Sequence, residues 1–274
     1  MSATWNPATY LHYADERSRP FAELLARVPT EPATIADLGC GPGHLSRLLR
    51  ARWPHARIDA LDSSAEMIER ARTEHQAPGV HYHLGDLRTW RPPAPVDLLI
   101  SNATFQWVPD HLDLLRDLTE HVADQGTLAF SVPGNFDGPS HRLLRSLARS
   151  DPYAAHTENV TFPEAHDPDV YLEALAARGW RVDAWETTYL HVLTGPDPVL
   201  TWISATGARE VLAALPPQLL ERFRAEYGAA LRQAYPETEH GTVLPFRRVF
   251  VVARRPGRTD PAAQPAPSSP RSAK

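Results

Sequence analysis

The chain has 274 residues, 42% hydrophobic and 22% charged, enough for one large α/β domain with a substantial core. Lys+Arg 28 against Asp+Glu 33 gives a formal net charge of −5, so there is no overall basic field to hold a nucleic-acid backbone or an anionic bilayer.

In chain order, Asp15 to Val28 places Phe21, Leu24, Leu25 and Val28 at helical spacing and predicts an amphipathic leading helix. Strand Ile35 to Leu38, helix Leu45 to Trp53, strand Ile58 to Leu61, helix Ala65 to about Glu74 and strand Val80 to Leu84 follow. Val96 to Ser101, a helix from Leu112 to Val122, and Thr127 to Val132 continue the alternation. Apolar strands alternating with helices across short turns predict a parallel, doubly wound sheet. From Asn135 to about Tyr171 the rhythm breaks into Pro, His, Asp and short helical pieces, an insertion expected to cover one edge of the sheet. Trp180 to Tyr189 reads as a strand, Pro216 to Ala234 as a helix, and Val243 to Arg254 as a last strand closing the sheet by a late hairpin. The proline-rich run from Pro256 predicts a disordered tail.

Single residue types remove whole chemistries. The one cysteine, Cys40, excludes an intramolecular disulfide framework or a cysteine cage for zinc or iron–sulfur, and fits a reducing cytoplasm. Lysine occurs only at Lys274, so 28 − 1 = 27 basic residues are arginine. A pyridoxal Schiff base, a Walker phosphate lysine and a kinase strand lysine all need a Lys inside the fold. Arginine, permanently charged and fork-shaped, suits carboxylate or phosphate recognition. No apolar run approaches the ~20 residues that cross a bilayer, and the stretch from Met1 to Pro7 has no export-signal pattern.

The main chemical signal is Asp37-Leu38-Gly39-Cys40-Gly41-Pro42-Gly43 between the first strand and the next helix. Glycines there let backbone approach a ligand, and the helix start offers free N–H groups. A dinucleotide fingerprint needs a third glycine where this chain has His44 or Ser46. Asp62 closes the second strand, where a carboxylate can accept both hydroxyls of a ribose, and Asp86-Leu87 follows the third, placed for the amino group and ring of a purine.

With these residues the chain resembles the class I S-adenosylmethionine-dependent methyltransferases. Asp37 to Gly43 is similar to that family's first motif, Asp62 matches its ribose-binding acid, and Asp86-Leu87 its adenine-binding pair. Ser101 to Trp107 resembles the segment that closes over the methionine end. The resemblance implies S-adenosylmethionine as cofactor, held by Asp37, Gly39, Gly41, Gly43, Asp62, Ser63, Met67, Asp86, Leu87, Asn102 and Trp107. It also implies a Rossmann-like, doubly wound, mostly parallel sheet with a late antiparallel strand and a helical cap. One domain would span 1–255, with a cofactor-binding core at about 30–133 and cap segments at about 135–178 and 195–215, before a tail at 256–274.

A narrower similarity covers nearly the whole chain. Trp5-Asn6-Pro7 with Tyr10, Glu16 to Pro20, Asn102 to Trp107, Trp185 to His191, Trp202 to Arg209 and Phe246 to Val252 resemble the trans-aconitate 2-methyltransferases. This implies O-methylation of one carboxylate of trans-aconitate by a cytoplasmic monomer. Two departures stand out: Glu210, where that pattern has a proline, and the proline-rich tail.

An ionised carboxylate is already a nucleophile, so no catalytic acid or base is expected; placement in a water-poor pocket should supply most of the rate. A polycarboxylate needs arginines. Candidates are Arg248 first, then Arg209, Arg17 and Arg19, with Tyr189, His191, Trp202, Trp5 and Tyr10 shaping the same pocket. His81 and His83 share a strand face, but no Cys or carboxylate spacing accompanies them, and no His-Glu-x-x-His pattern occurs, so no metal site is expected. Two other readings stay open, a nicotinamide oxidoreductase and a non-catalytic S-adenosylmethionine binder. So does another acceptor, either a different polycarboxylate or a natural-product hydroxyl or amine.

Overall fold

The computed structural model describes residues 14–257, with side chains from Ser18 onward. The elements are α1 (Ala14–Ala26), β1 (Thr34–Leu38), α2 (Ser46–Arg52), β2 (Arg57–Asp62), α3 (Ala65–Glu74), β3 (Val80–Leu84), β4 (Val96–Asn102), a 3-10 turn (Phe105–Trp107), α4 (His111–Thr119) and β5 (Val122–Pro133). Then follow α5 (Pro139–Ala148), α6 (Ala154–Thr157), α7 (Pro168–Ala176), β6 (Arg181–Leu193), α8 (Pro198–Ser204), α9 (Arg209–Ala214), α10 (Pro217–Ala234), β7 (Glu237–Thr238) and β8 (Gly241–Arg254). The sheet order is β3-β2-β1-β4-β5-β8-β6, with the small β7 on β8; β1 to β5 are parallel and β8 is antiparallel to both its neighbours.

Side chains alternate across a strand, and in the central strands both faces are apolar and covered. Ile35, Leu98, Ile100, Phe250 and Val252 pack with Phe21 and Leu24 of α1, Leu49 of α2 and Ile68 of α3. The neighbouring positions Ala36, Leu38, Leu99, Phe130 and Val251 pack with Leu115 and Leu118 of α4 and Tyr171 and Leu175 of α7. Each fully buried Leu, Ile or Phe contributes about 1.5–3 kcal/mol over its exposed state.

Three expectations are corrected. Val122 extends the apolar spacing of α4, yet the helix stops at Thr119 and Val122 begins β5, paired in parallel with Val96. Its β-branched side chain is fully buried beside the sheet, a position that spacing alone does not separate from a last helical turn. Second, the insertion does more than cover an edge of the sheet, since it is divided between the sheet and a separate cap. Helix α5 and Tyr153, just before α6, join α8, α9 and α10 around a third apolar cluster that includes Leu144, Trp202, Phe223, Tyr227 and Leu231. Third, the cap segments differ from those expected: α7, inside 135–178, packs on the sheet, while α10, beyond 215, belongs to the cap.

The cap is tied to the sheet by a ribbon. β8 pairs with β5 only over Arg248 to Arg254, whereas its pairing with β6 continues to Thr242↔Leu193. Residues 242–247 therefore run on past β5, and Leu193 and Leu244 enter the cap cluster. Arg248, opposite Pro133 at the end of β5, marks the junction of sheet and cap.

Candidate active site

The carboxyl ends of β1 to β4 open into a cavity of about 840 Å³, roofed by the segment 156–164 and by α9. This is where parallel α/β sheets present ligand sites, because loops diverge there and helix starts point inward. Gly39, Gly41, Asp62, Ser63, Met67, Asp86, Leu87, Asn102 and Trp107 all line it.

The glycine turn is held by β2. The N–H groups of Gly39 and Cys40 donate to Leu61 O at 2.7 and 3.0 Å, and the Gly41 N–H donates to Asp62 Oδ2 at 2.9 Å. Asp62 Oδ1 accepts from the Ser64 N–H at 2.9 Å, and the Ser64 hydroxyl caps α3 by accepting from the Met67 N–H. At Gly39, φ is +81° and a Cβ would fall inside the Thr104 side chain; at Gly41, φ is +57° and a Cβ would meet open space. Gly39 is thus demanded by packing, and Gly41 keeps backbone bare toward the cavity. Gly43 faces Ala71 and the Tyr82 hydroxyl instead of the cavity, and Asp37 lies buried beneath the turn. Burial, aided by the nearby Asp62, pushes the Asp37 carboxyl up to about 7; burial also raises Asp62 and the Cys40 thiol.

Asp86 sits at the cavity rim but folds onto Arg88, accepting from its Nη2 at 2.5 Å, its Nε and its backbone N–H at 2.8 Å. Those bonds hold the carboxyl below its usual range. Arg88 is a lining residue that the sequence reading missed.

A second, smaller cavity of about 90 Å³ lies at the sheet–cap junction, lined by Phe136, His141, Trp202, Phe246 and Arg248 among others. Ala103, Gln106, Trp107 and Pro163 line both cavities and form the wall between them. Hydrogen bonds fix part of this wall. Ala103 adopts φ +57°, donates its N–H to Ser131 O at 2.8 Å and accepts from Gln106 Nε2 at 2.6 Å. Strained backbone of this kind persists only where its surroundings over-determine it. Gln106 Oε1 is buried with no hydrogen-bond partner among the described residues, an acceptor that sequence reasoning missed.

The predicted acceptor residues divide. Arg248, 5% exposed with its guanidinium 5.5 Å from the Phe246 ring centroid, and Trp202 line the smaller cavity. Arg209 lines the larger one, its guanidinium 5.9 Å from the Trp107 ring centroid and its Nη2 2.6 Å from Glu210 Oε1. His191 stands behind Trp202, ring centroids 4.8 Å apart, and supports it without lining either cavity. Tyr189 is turned to α1, donating its hydroxyl to Glu23 Oε2 at 2.5 Å, with Arg19 over its ring; neither lines either of these two cavities. Trp5 and Tyr10 lie outside the described residues, as does the side chain of Arg17. His141, unforeseen, lies on the small cavity, and burial together with nearby Arg145 lowers its ring to about 4, so it is neutral. Among the described residues no group of three or more His, Cys, Asp and Glu could hold a metal ion, and no helix is long and apolar enough to cross a membrane.

Comparison with known proteins agrees with this geometry. A methyltransferase domain family model matches residues 10–184. A trans-aconitate 2-methyltransferase of Streptomyces avermitilis is 53% identical over 92% of this chain and 97% of its own length. One from Mycolicibacterium gilvum is 49% identical, covering 91% and 98%. The chain belongs to the trans-aconitate 2-methyltransferase family.

The fold of this family member is shared more widely. The YcgJ protein of Bacillus subtilis matches with a TM-score of 0.55 at 12% identity, covering 88% of this chain and 99% of that one. As a methyltransferase of this family, the chain departs from the sequence expectation mainly in the division of labour between Tyr189, which anchors α1, and Arg248, which reaches a cavity.

Proposed function

We propose that the protein transfers the methyl group of S-adenosylmethionine to one carboxylate of trans-aconitate, releasing S-adenosylhomocysteine and the monomethyl ester. The observation that carries this is the pair of adjoining cavities separated by Ala103, Gln106 and Trp107, with glycine turn and strand-end acids on one side and Arg248 on the other.

The larger cavity fits the cofactor. Gly41 presents bare backbone, Asp62 retains lone pairs for ribose hydroxyls beyond the N–H groups it serves, and Leu87 offers an apolar wall for a flat base. When bound, the cofactor supplies an electrophilic methyl on a sulfonium. The remaining work falls to this chain. Arg248, with Arg209 across the wall, supplies planar donor pairs that fix a carboxylate's position and offset its charge. Trp107, Trp202, Phe136 and Phe246 exclude water, which strengthens each charged contact made there and would leave an acceptor carboxylate less solvated and more nucleophilic. The acceptor carboxylate, with a pKa of ~4, arrives ionised, and His141, neutral, is not asked for a proton.

The test is S-adenosylhomocysteine production with trans-aconitate, cis-aconitate, isocitrate and citrate, with mass spectrometry of the product and an Arg248→Ala variant alongside. Turnover confined to trans-aconitate, with KM raised roughly 10- to 100-fold in the variant and kcat little changed, is expected. Cofactor binding without turnover on any of the four acids overturns the acceptor assignment.

A further inference from the structure

We propose that Glu210 determines acceptor specificity: it is an internal carboxylate that occupies Arg209 until an acceptor carboxylate replaces it, and it disfavours acceptors in proportion to their negative charge. This rests on the reading of the site as a polycarboxylate methyltransferase.

The two residues are neighbours at the start of α9, paired at 2.6 Å, and both line the larger cavity. Their exposures differ in a telling way. The Arg209 side chain is 12% exposed and rests against the Trp107 ring, whereas that of Glu210 is 27% exposed. The guanidinium is thus the fixed partner, and the carboxylate is the one with a path toward solvent. A largely buried guanidinium needs a counter-charge, and Glu210 supplies one before any acceptor arrives.

An incoming carboxylate that takes Arg209 therefore gains only the difference between two carboxylate–arginine pairs. The displaced Glu210 cannot leave, since it is joined to the next backbone position, and it stays close enough to repel whatever has replaced it. That repulsion grows with acceptor charge, so a trianion loses more than a dianion. Specificity built this way uses a repulsive element beside the attractive one.

The experiment measures binding of tricarballylate, a saturated tricarboxylate, and glutarate, a dicarboxylate, by calorimetry in the presence of S-adenosylhomocysteine. The proteins are the full chain, Glu210→Gln and Glu210→Asp, with the KM and kcat for trans-aconitate measured in parallel. In Glu210→Gln, tricarballylate affinity and the KM for trans-aconitate should improve about tenfold, the usual scale for one charge pair. Glutarate should improve by about threefold or less on the same scale, kcat should stay within about twofold, and Glu210→Asp should keep the full chain's selectivity. Equal gains for both acids, weaker tricarballylate binding in Glu210→Gln, or no measurable tricarballylate binding to any of the three proteins each overturn the proposal. A circular dichroism spectrum and a Tm matching those of the full chain show that the variants are folded. Absence of trans-aconitate turnover by the full chain would instead sink the proposed function, and the binding comparison would still judge Glu210.

Discussion

The Gly41 N–H donates to Oδ2 of Asp62 at 2.9 Å, so one carboxylate both shapes the glycine turn and faces the cavity it borders. Its other oxygen holds the Ser64 N–H at the start of α3. Removing the side chain in Asp62→Ala leaves both N–H groups without their acceptor, each bond to a charged group being worth about 1.5–3 kcal/mol. S-adenosylhomocysteine binding, measured by calorimetry, should weaken by about two orders of magnitude or more. Asp62→Asn keeps the shape but turns an NH2 toward one of the donors, and should fall in between. Full affinity in the asparagine variant would mean that the charge is not needed.

Gly39 and Gly41 should respond to alanine in different ways. At Gly39 the added carbon collides with Thr104 on top of the cost of φ +81°, so stability should drop by several kcal/mol in denaturant unfolding, as for an overpacked core site. At Gly41 nothing opposes the carbon, so only the left-handed backbone costs, about 1–2 kcal/mol. The methyl then stands on the cavity side, and cofactor affinity should fall more than stability does. If both variants lose stability equally, the open space at Gly41 is not real.

Why some of this was legible in the sequence and some not follows from what each signal measures. Asp62 and Asp86 were readable because an acid at or just past the end of a short strand lands at a carboxyl end whatever else the chain does. Arg248 was readable as part of a long final strand, but its place at the sheet–cap junction depends on register against Pro133, which no local pattern encodes. Tyr189 and His191 alternate along β6 and so share a face, as period-two spacing predicts. What covers that face is a tertiary fact: α1 brings Glu23 to it, more than 160 residues away in sequence. The segment 156–164 that roofs the large cavity has no periodicity at all, and only the packing of the cap places it.

Acid and base should destabilise the fold through different groups. His111 and His141 are lowered by burial from 6.5 to about 4, with His166 and Arg145 adding to the shift respectively. Between those values the unfolded chain binds more protons, so their contribution is complete above pH 6.5 and is lost as pH falls through 4, by about 3 kcal/mol each. Asp37 runs the other way: raised from 3.8 to about 7, it contributes fully below pH 3.8 and loses that contribution as pH rises through 7. Thermal unfolding between pH 4 and 9 should show His141→Gln flattening the acid limb and Asp37→Asn flattening the neutral-to-alkaline one. Slopes that match the full chain in both variants would place the pH dependence elsewhere.

The last expectation concerns Tyr189, whose hydroxyl is committed to Glu23. That carboxylate also accepts from Thr187 Oγ1 at 2.8 Å and Trp185 Nε1 at 3.1 Å, so alternate residues of β6 together dock α1. Arg27 completes the contact, lying 4.4 Å from the Trp185 ring centroid and pairing with Asp183 at 3.0 Å. Tyr189→Phe removes one of Glu23's three donors at a cost of about 1–3 kcal/mol, which for a chain of this size lowers Tm by roughly 2–5 °C. Because the ring and its packing survive, KM for trans-aconitate should stay within about twofold of the full chain. Glu23→Gln should reproduce the loss of Tm and increase hydrogen exchange in α1, since an amide offers these donors one acceptor oxygen where the carboxylate offers two. A tenfold rise in KM without loss of Tm in Tyr189→Phe would return this residue to the acceptor pocket and leave Glu23 as its positioning partner.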